Sequence, residues 1–380
     1  MKKVLFSLCI FTPLICLIIL LISFSWQIYQ IKKVDYRQIS RELKDYLEKD
    51  KGKITVKLKD NYLFIDYADY LGGEIDKTRK RNFPYENRPE SSVIHIYGSS
   101  PIISRPFFFR GDFPFFSAVL SEQLKERKIK VYNFGMSSFD SSDIKELIEK
   151  TVALDKPELI IFYDCSGSDF ENAYFTNIKR RFSLLCPFLK NIIKINRLAD
   201  WFYKSQIEPN LINLLQKITL LNIQREPFEE YNELIFSAYK KGIHDIIRVA
   251  QVNNLPLLIL PSICNLEAQP FGIQGVADSD YKLGIKEKDY SRKIASLMKA
   301  RDLDIFTIDV GGPRAAIHDF LADINETGVY VLDLQKELEK EKFPFNHKYF
   351  YDIGHMRPAL HKIIAEYLYA FITENELINP

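Results

Sequence analysis

The sequence predicts an α/β protein built on a parallel sheet, behind one N-terminal membrane-spanning helix. Three observations carry this. Residues 4–24 read VLFSLCIFTPLICLIILLISF, without a charged side chain. From Val93 onward, short apolar runs alternate with longer segments of helical period, the pattern of βαβ units. Three of those runs close on small polar residues: Gly98-Ser99-Ser100, Asn133-Phe134-Gly135 and Ser166-Gly167-Ser168-Asp169.

An apolar helix of about 20 residues crosses a bilayer at about 1.5 Å per residue. A cleaved leader usually has a shorter apolar stretch of roughly 7–15 residues, so length favours a retained anchor over residues 4–26. Ser23-Phe24-Ser25 offers small residues at a cleavage-like spacing, which keeps a removed leader open. Cys16 is a poor lipoprotein cysteine, since Ile15 precedes it and the apolar run continues beyond it. Lys2 and Lys3 stand before the span and Lys32, Lys33, Arg37 and Arg41 after it, so the positive-inside rule is ambiguous. No second run of comparable length returns the chain, and the rest of the protein is expected on the extracytoplasmic side.

Residues 27–92 are expected to form a juxtamembrane region and linker. Within them, 36–48 have amphipathic helical spacing, and 54–58 and 62–67 form a hairpin across Lys59-Asp60-Asn61. The polar stretch 71–92, with Gly72-Gly73 and two prolines, reads as a loop. A domain follows over 93–375. Its expected strands are 93–97, 130–134, 159–163, 255–260, 305–310 and 329–332. Its expected helices are 115–127, 141–154, 236–252, 290–300 and 359–373. Residues 171–235 interrupt this rhythm as a helical insertion carrying Tyr174, Phe175, Trp201, Phe202 and Tyr203. A substrate cap and an extra packing layer are both open for it.

Composition narrows the function classes. Fifty-two Lys and Arg against 50 Asp and Glu leave a net charge of +2, without the basic excess of a nucleic-acid binder. The five cysteines contain no C-x-x-C pair, which argues against a zinc or redox motif; one disulfide among Cys165, Cys186 and Cys264 stays open. His347, Asp352, His355 and His361 match no standard ligand spacing, so no metal is expected. Neither G-x-G-x-x-G nor G-x-x-x-x-G-K-[ST] occurs, and no cofactor is expected. Arg105 and Arg110, among Phe107, Phe108 and Phe109, are read as a solvated face or as contacts to an anionic part of a substrate. His95, inside the first apolar run of the domain, is read as a core residue.

Chemistry is expected at the strand ends. Ligands of open α/β sheets bind beyond the carboxyl ends of the strands. A nucleophilic serine needs a base and the base an orienting carboxylate, and Tyr351-Asp352-Ile353-Gly354-His355 places both within one tight loop. Ser100, or Ser99 one residue earlier, is the candidate nucleophile.

These blocks, in this order, resemble the SGNH (GDSL-type) hydrolase superfamily. The resemblance runs from IHIYGSS and GDFPFFSAVLSEQL through VYNFGMSS and PELIIFYDCSGSDF to YDIGHMRPALHKIIAEYL. It implies a flavodoxin-like three-layer fold with a parallel sheet. It also implies serine ester hydrolysis or acyl transfer, with Ser100 as nucleophile, His355 as base and Asp352 orienting it. The backbone N–H groups of Ser100 and Gly135 would serve the oxyanion hole. The third donor of the family is an Asn side chain that this chain lacks; Ser168 is the best positional match if one residue is inserted, and Gly167 falls there otherwise. Losing one such donor can cost on the order of 10²–10³ in rate. A Gly-Ser-Ser motif after an N-terminal anchor is also similar to the membrane-anchored SGNH-like protein of lipoteichoic acid D-alanylation, over a short stretch. The expected partners are the membrane, an ester-bearing glycan or lipid substrate, and a membrane acyltransferase. The competing expectation is a catalytically degenerate member that binds a glycan or assists such an acyltransferase.

Overall fold

The computed structural model describes residues 52–71, 74–85, 92–102, 115–170, 172–173, 225–270, 276–303 and 313–378. The expected anchor, the 36–48 helix, Arg105, Arg110, the strand at 305–310 and most of the 171–235 insertion lie outside them. Among the described residues no helix is long and apolar enough to cross a membrane. All described residues except 225–231 belong to one compact unit, Tyr46–Ala173 with Asn232–Pro380.

The core of that unit is a parallel sheet of five strands. These are β4 (Val93–Tyr97), β5 (Lys130–Asn133), β6 (Leu159–Tyr163), β7 (Leu257–Leu260) and β8 (Val329–Val331), in spatial order β5-β4-β6-β7-β8. The sequences of β4, β6 and β7 are VIHIY, LIIFY and LLIL, and every residue in them is buried. Such nearly continuous apolar runs suit a strand covered on both faces. The edge strands β5 and β8 are only half-buried. Burying each of these aliphatic side chains contributes roughly 1.5–3 kcal/mol.

Eight helices are described. The first five are α1 (Phe116–Gln123), α2 (Ser141–Val152), α3 (Arg225–Val252), α4 (Val276–Lys286) and α5 (Tyr290–Leu303). The chain closes with α6 (Arg314–Ala322), α7 (Leu334–Lys340) and α8 (Pro358–Glu374). α2 starts where the Asp140 carboxylate accepts the N–H groups of Ser142 and Asp143, while Asp143 reaches back to the Asp140 N–H. That capping box satisfies N–H groups a helix start leaves open. α3 packs against this point: a side chain at Gly242 would come within 2.1 Å of Ser141 Oγ, so only glycine fits. α3 starts at Arg225, well before the expected 236, because its helical run continues back into the insertion.

The first three strands correct one expectation. β1 (Gly52–Lys59) and β2 (Tyr62–Leu71) form the expected hairpin, with Asp60 and Asn61 at positive φ in the turn. The expected loop over 71–92 instead contains β3 (Glu74–Pro84), antiparallel to β2. Its sequence, EIDKTRKRNFP, lacks the apolar alternation that marks a strand. Pairing along β2 overrides that weak local pattern, and a charged edge strand is a common way to discourage further pairing. Nor is this sheet a bare linker. Ile54, Leu63, Ile65 and Tyr67 are buried. The Ile54 N–H donates to Glu146 Oε1 of α2 at 3.2 Å, and the Tyr67 ring lies 4.7 Å from that of Phe139.

The order of the five parallel strands fixes where a ligand can bind. In chain order they lie 2-1-3-4-5. The connection after β4 therefore leaves in one direction and the connection after β6 in the other. The crevice opened by that reversal lies beyond the carboxyl ends of β4 and β6. Gly98-Ser99-Ser100 and the segment 164–169 follow those two ends.

Candidate active site

β4 ends at Gly98 because nothing larger fits: a Cβ there would lie 2.8 Å from the Tyr163 carbonyl oxygen of β6. Ser100–Ile102 then form one 3-10 turn. Ser99 and Ser100 are both buried, so burial does not choose between them as nucleophile. The second block is tied directly to this turn. The Met136 N–H donates to the Gly98 carbonyl at 3.0 Å and the Phe134 N–H to the Ile96 carbonyl at 2.7 Å. Asn133, which the sequence placed at a strand end without giving it a role, joins three parts. Its Nδ2 donates to the Ile102 carbonyl at 2.6 Å and to Ser117 Oγ at 3.0 Å, and its Oδ1 accepts the Gly135 N–H at 2.9 Å. The expected oxyanion donor Gly135 thus already gives its N–H to a side chain. An Asn two residues before a Gly is the local signal for such a turn.

The third block is a small buried polar network. Residues 166–170 form a helical turn after β6. Asp164 accepts the Ser166 N–H (2.9 Å), the Ser166 hydroxyl (2.6 Å), the Ser262 hydroxyl (2.8 Å) and the Tyr239 hydroxyl (2.8 Å). Asp169 accepts the N–H and hydroxyl of Ser141 at 3.1 and 2.6 Å, at the start of α2, where the helix dipole favours an anion. Both aspartates therefore organise their surroundings. Burial first, and the carboxylates of Asp169, Asp164 and Asp140 next, push the Cys165 thiol well above its ordinary range, so it stays a poor nucleophile. Cys165 and Cys264 are both buried, and neither is in a disulfide. Ser168 Oγ is buried with no hydrogen-bond partner. An unmet hydroxyl at this depth is costly unless something is there to receive it.

The Asp352–His355 pair forms as the sequence expects. His355 Nδ1 lies 2.7 Å from Asp352 Oδ2, and Asp352 Oδ1 accepts the N–H groups of His355 and Gly354 at 2.7 and 2.9 Å. Burial alone would raise the Asp352 carboxyl. The hydrogen bond and charge of the His355 ring, with the two N–H groups, hold it below its ordinary 3.8 instead. The loop is closed on itself by Tyr351 N–H to the His355 carbonyl (2.8 Å) and Arg357 N–H to the Tyr349 carbonyl (2.8 Å). The Arg357 guanidinium covers the Tyr351 ring at 4.6 Å. α8 begins three residues after His355, with Pro358 in its first turn. On α8, His361 stacks between Phe115 and Phe116 at 4.8 and 5.9 Å, which packs the helix after the pair against the helix after the serine turn. His361 is therefore a core residue, not a partner of His355. No group of three or more metal-ligating side chains occurs among the described residues.

His95 sits in the core as expected. Burial drives its ring down to about 3, and its Nδ1 lies 3.0 Å from the Tyr97 hydroxyl. The residues that sequence reasoning gave no role are Asn133, named only as part of a strand end, and Arg314, His318, Asp333 and Asn265. The Asn265 N–H donates to the Ile353 carbonyl at 2.8 Å and its Nδ2 to the Asp352 carbonyl at 3.2 Å. Only a polar residue shortly after a strand end hints at it.

No family model matches this chain, and no curated protein matches its sequence. Solved structures do resemble it. The acetyl xylan esterase AlAXEase is 10% identical with a TM-score of 0.38, over 74% of this chain and 99% of that one. A lipase/acylhydrolase from Enterococcus faecalis is 12% identical with a TM-score of 0.34, over 75% and 96%. A catalytic mutant of Axe2, an acetylxylan esterase from Geobacillus stearothermophilus, is 14% identical with a TM-score of 0.36, over 75% and 94%. At such identities and scores, the likeness assigns neither a site nor a reaction to this chain.

Proposed function

We propose that this chain is a membrane-anchored SGNH-type serine esterase or O-acyltransferase acting on ester-linked acyl groups. The observation that carries this reading is the Asp352–His355 pair, 2.7 Å apart and fixed by two further N–H bonds to the same carboxylate. It accompanies a Gly-Ser-Ser turn at the strand-order reversal, where α/β sheets bind ligands.

In this reading Ser100 Oγ attacks the ester carbonyl as His355 takes its proton, with Asp352 orienting the ring. The carbonyl π electrons move to oxygen, and that oxyanion is met by the Ser100 N–H, by the Ser168 hydroxyl and by the Gly135 N–H once it turns from Asn133 Oδ1. Collapse of the tetrahedral adduct breaks the bond to the alcohol, which leaves with the proton from His355. Water, or a second hydroxyl, then attacks the acyl-serine by the same steps in reverse. Water gives an esterase and another hydroxyl an acyltransferase. The uncharged 4–26 segment supports a single-pass anchor with the rest extracytoplasmic, and hence cell-envelope glycans or lipids as substrates.

A second reading is a degenerate member that binds a glycan or assists a membrane acyltransferase. The engaged Gly135 N–H and the missing third-block Asn favour it. Fluorophosphonate labelling of the full chain, followed by mass spectrometry of the labelled peptide, separates the two. The expected result is an adduct on Ser100 that falls by about 10³ or more in His355→Ala. An adduct on Ser99 moves the nucleophile by one residue. Folded protein that takes no label supports the degenerate reading.

A further inference from the structure

We infer that Asn265 is a positioning residue for the Asp352–His355 pair, and that it is kept for this geometry rather than for stability; the inference rests on the catalytic reading above. The Asp352 side chain is 44% exposed and that of His355 24% exposed. An ion pair this wet does little to hold itself together. Its geometry must come from the backbone that carries it, and a loop does not hold its own backbone without partners.

Asn265 supplies those partners from the sheet. The segment after β7 is fixed where the Ile263 N–H donates to the hydroxyl of Tyr163, the last residue of β6, at 3.1 Å. Two residues on, the Asn265 N–H holds the Ile353 carbonyl at 2.8 Å and its Nδ2 holds the Asp352 carbonyl at 3.2 Å. Beyond it, the Glu267 N–H donates to the Phe345 carbonyl at 3.2 Å, and the Tyr281 hydroxyl of α4 caps the Glu267 carbonyl at 3.0 Å. The acid is thus referenced to the sheet through one carboxamide.

That carboxamide is only half satisfied. Asn265 is 5% exposed and its Oδ1 is buried without a hydrogen-bond partner. For stability alone an apolar residue of similar volume would serve as well, since a buried acceptor left unmet is unfavourable. A polar group retained against stability is what a site that needs a fixed geometry shows.

The test is Asn265→Leu in the full chain, with ester hydrolysis measured on p-nitrophenyl acetate and unfolding followed by circular dichroism. The expected result is a melting temperature equal to or above that of the unsubstituted protein. With it, kcat falls 10- to 100-fold and KM stays within about twofold, as a misplacement of about 1 Å can produce. Asn265→Ala is the second variant, should leucine not fold. A double-mutant cycle with Asp352→Ala reads whether Asn265 acts through the acid. In the Asp352→Ala background the substitution should then change kcat by less than about twofold. An unchanged kcat in Asn265→Leu overturns the inference, as does an equal fold-loss in both backgrounds. If Asp352→Ala alone leaves kcat unaltered, the catalytic reading falls and this inference falls with it.

Discussion

Among the described residues, two histidine–aspartate pairs lie within hydrogen-bonding distance, and they differ in almost everything but chemistry. His355 and Asp352 lie in one loop, 2.7 Å apart, with both side chains partly exposed. His318 of α6 and Asp333, after β8, are 3.1 Å apart, with side-chain exposures of 4% and 10%. In the second pair the other ring nitrogen is also taken: Arg314 Nη2 lies 3.2 Å from His318 Nε2. A guanidinium can only donate, so His318 Nε2 accepts, and its Nδ1 proton faces Asp333. Arg314 is itself fully buried. Its Nη1 reaches Ser166 Oγ at 3.1 Å and stands 3.9 Å from Asp164, and its Nη2 donates to the Ser262 carbonyl. The same pair of residue types is thus a brace in one place and a candidate acid–base unit in the other. What separates them is access to solvent.

The largest effect that would break this comparison is in the brace. Arg314→Ala leaves Asp164 buried without its cation, which should cost about 3–5 kcal/mol in a urea unfolding curve. A loss below about 1 kcal/mol would mean the hydrogen bonds from Ser166, Tyr239 and Ser262 to Asp164 suffice alone.

Next in size is a dependence on pH set by histidines outside both pairs. Burial holds His95 down to about 3, and holds His361 down to about 4 against the raising effect of its hydrogen bond to the Met356 carbonyl. Below the ordinary 6.5 the unfolded chain binds protons these folded rings refuse, so stability falls as pH falls. The loss reaches up to about 1.4 kcal/mol per pH unit for each ring, from about pH 6.5 down to about 4 for both and to about 3 for His95. The carboxyls of Asp155 and Asp302, raised by burial, work in the opposite direction and blunt the lower part of that window. Asp333 and Asp352, held below their ordinary value, add their own loss only beneath it. Unfolding midpoints at pH 7, 5.5 and 4.5 check this, and His361→Leu should flatten the slope by its share.

The smallest effect on stability should be at the exposed pair. His355→Ala is expected to change unfolding free energy by less than about 1 kcal/mol while removing fluorophosphonate labelling. A stability loss as large as that of Arg314→Ala would make both pairs braces.

Local features of the sequence were legible in advance. The central strands stood out because a strand buried on both faces must be a short apolar run, as in Leu159–Tyr163 and Leu257–Leu260. The Asp352–His355 pair stood out because three residues of separation in one turn can bring the two side chains within reach of each other. The hairpin of β1 and β2 followed from Asp60-Asn61 between alternating segments. β3 did not, because its sequence carries no apolar alternation and only the neighbouring strand makes it one. The short helices α6 and α7 carried too few residues for their period to show.

By itself, then, the sequence determined the α/β class, the central strands and the pairing of Asp352 with His355, since each depends on residues within one turn or one run. The tertiary structure alone decided the rest. It put Arg314 against Ser166, 148 residues away, and Asn265 against Asp352, 87 residues away. The physical reason is that a contact between distant residues has no period or spacing of its own. It exists only once the sheet order has brought two strand ends side by side.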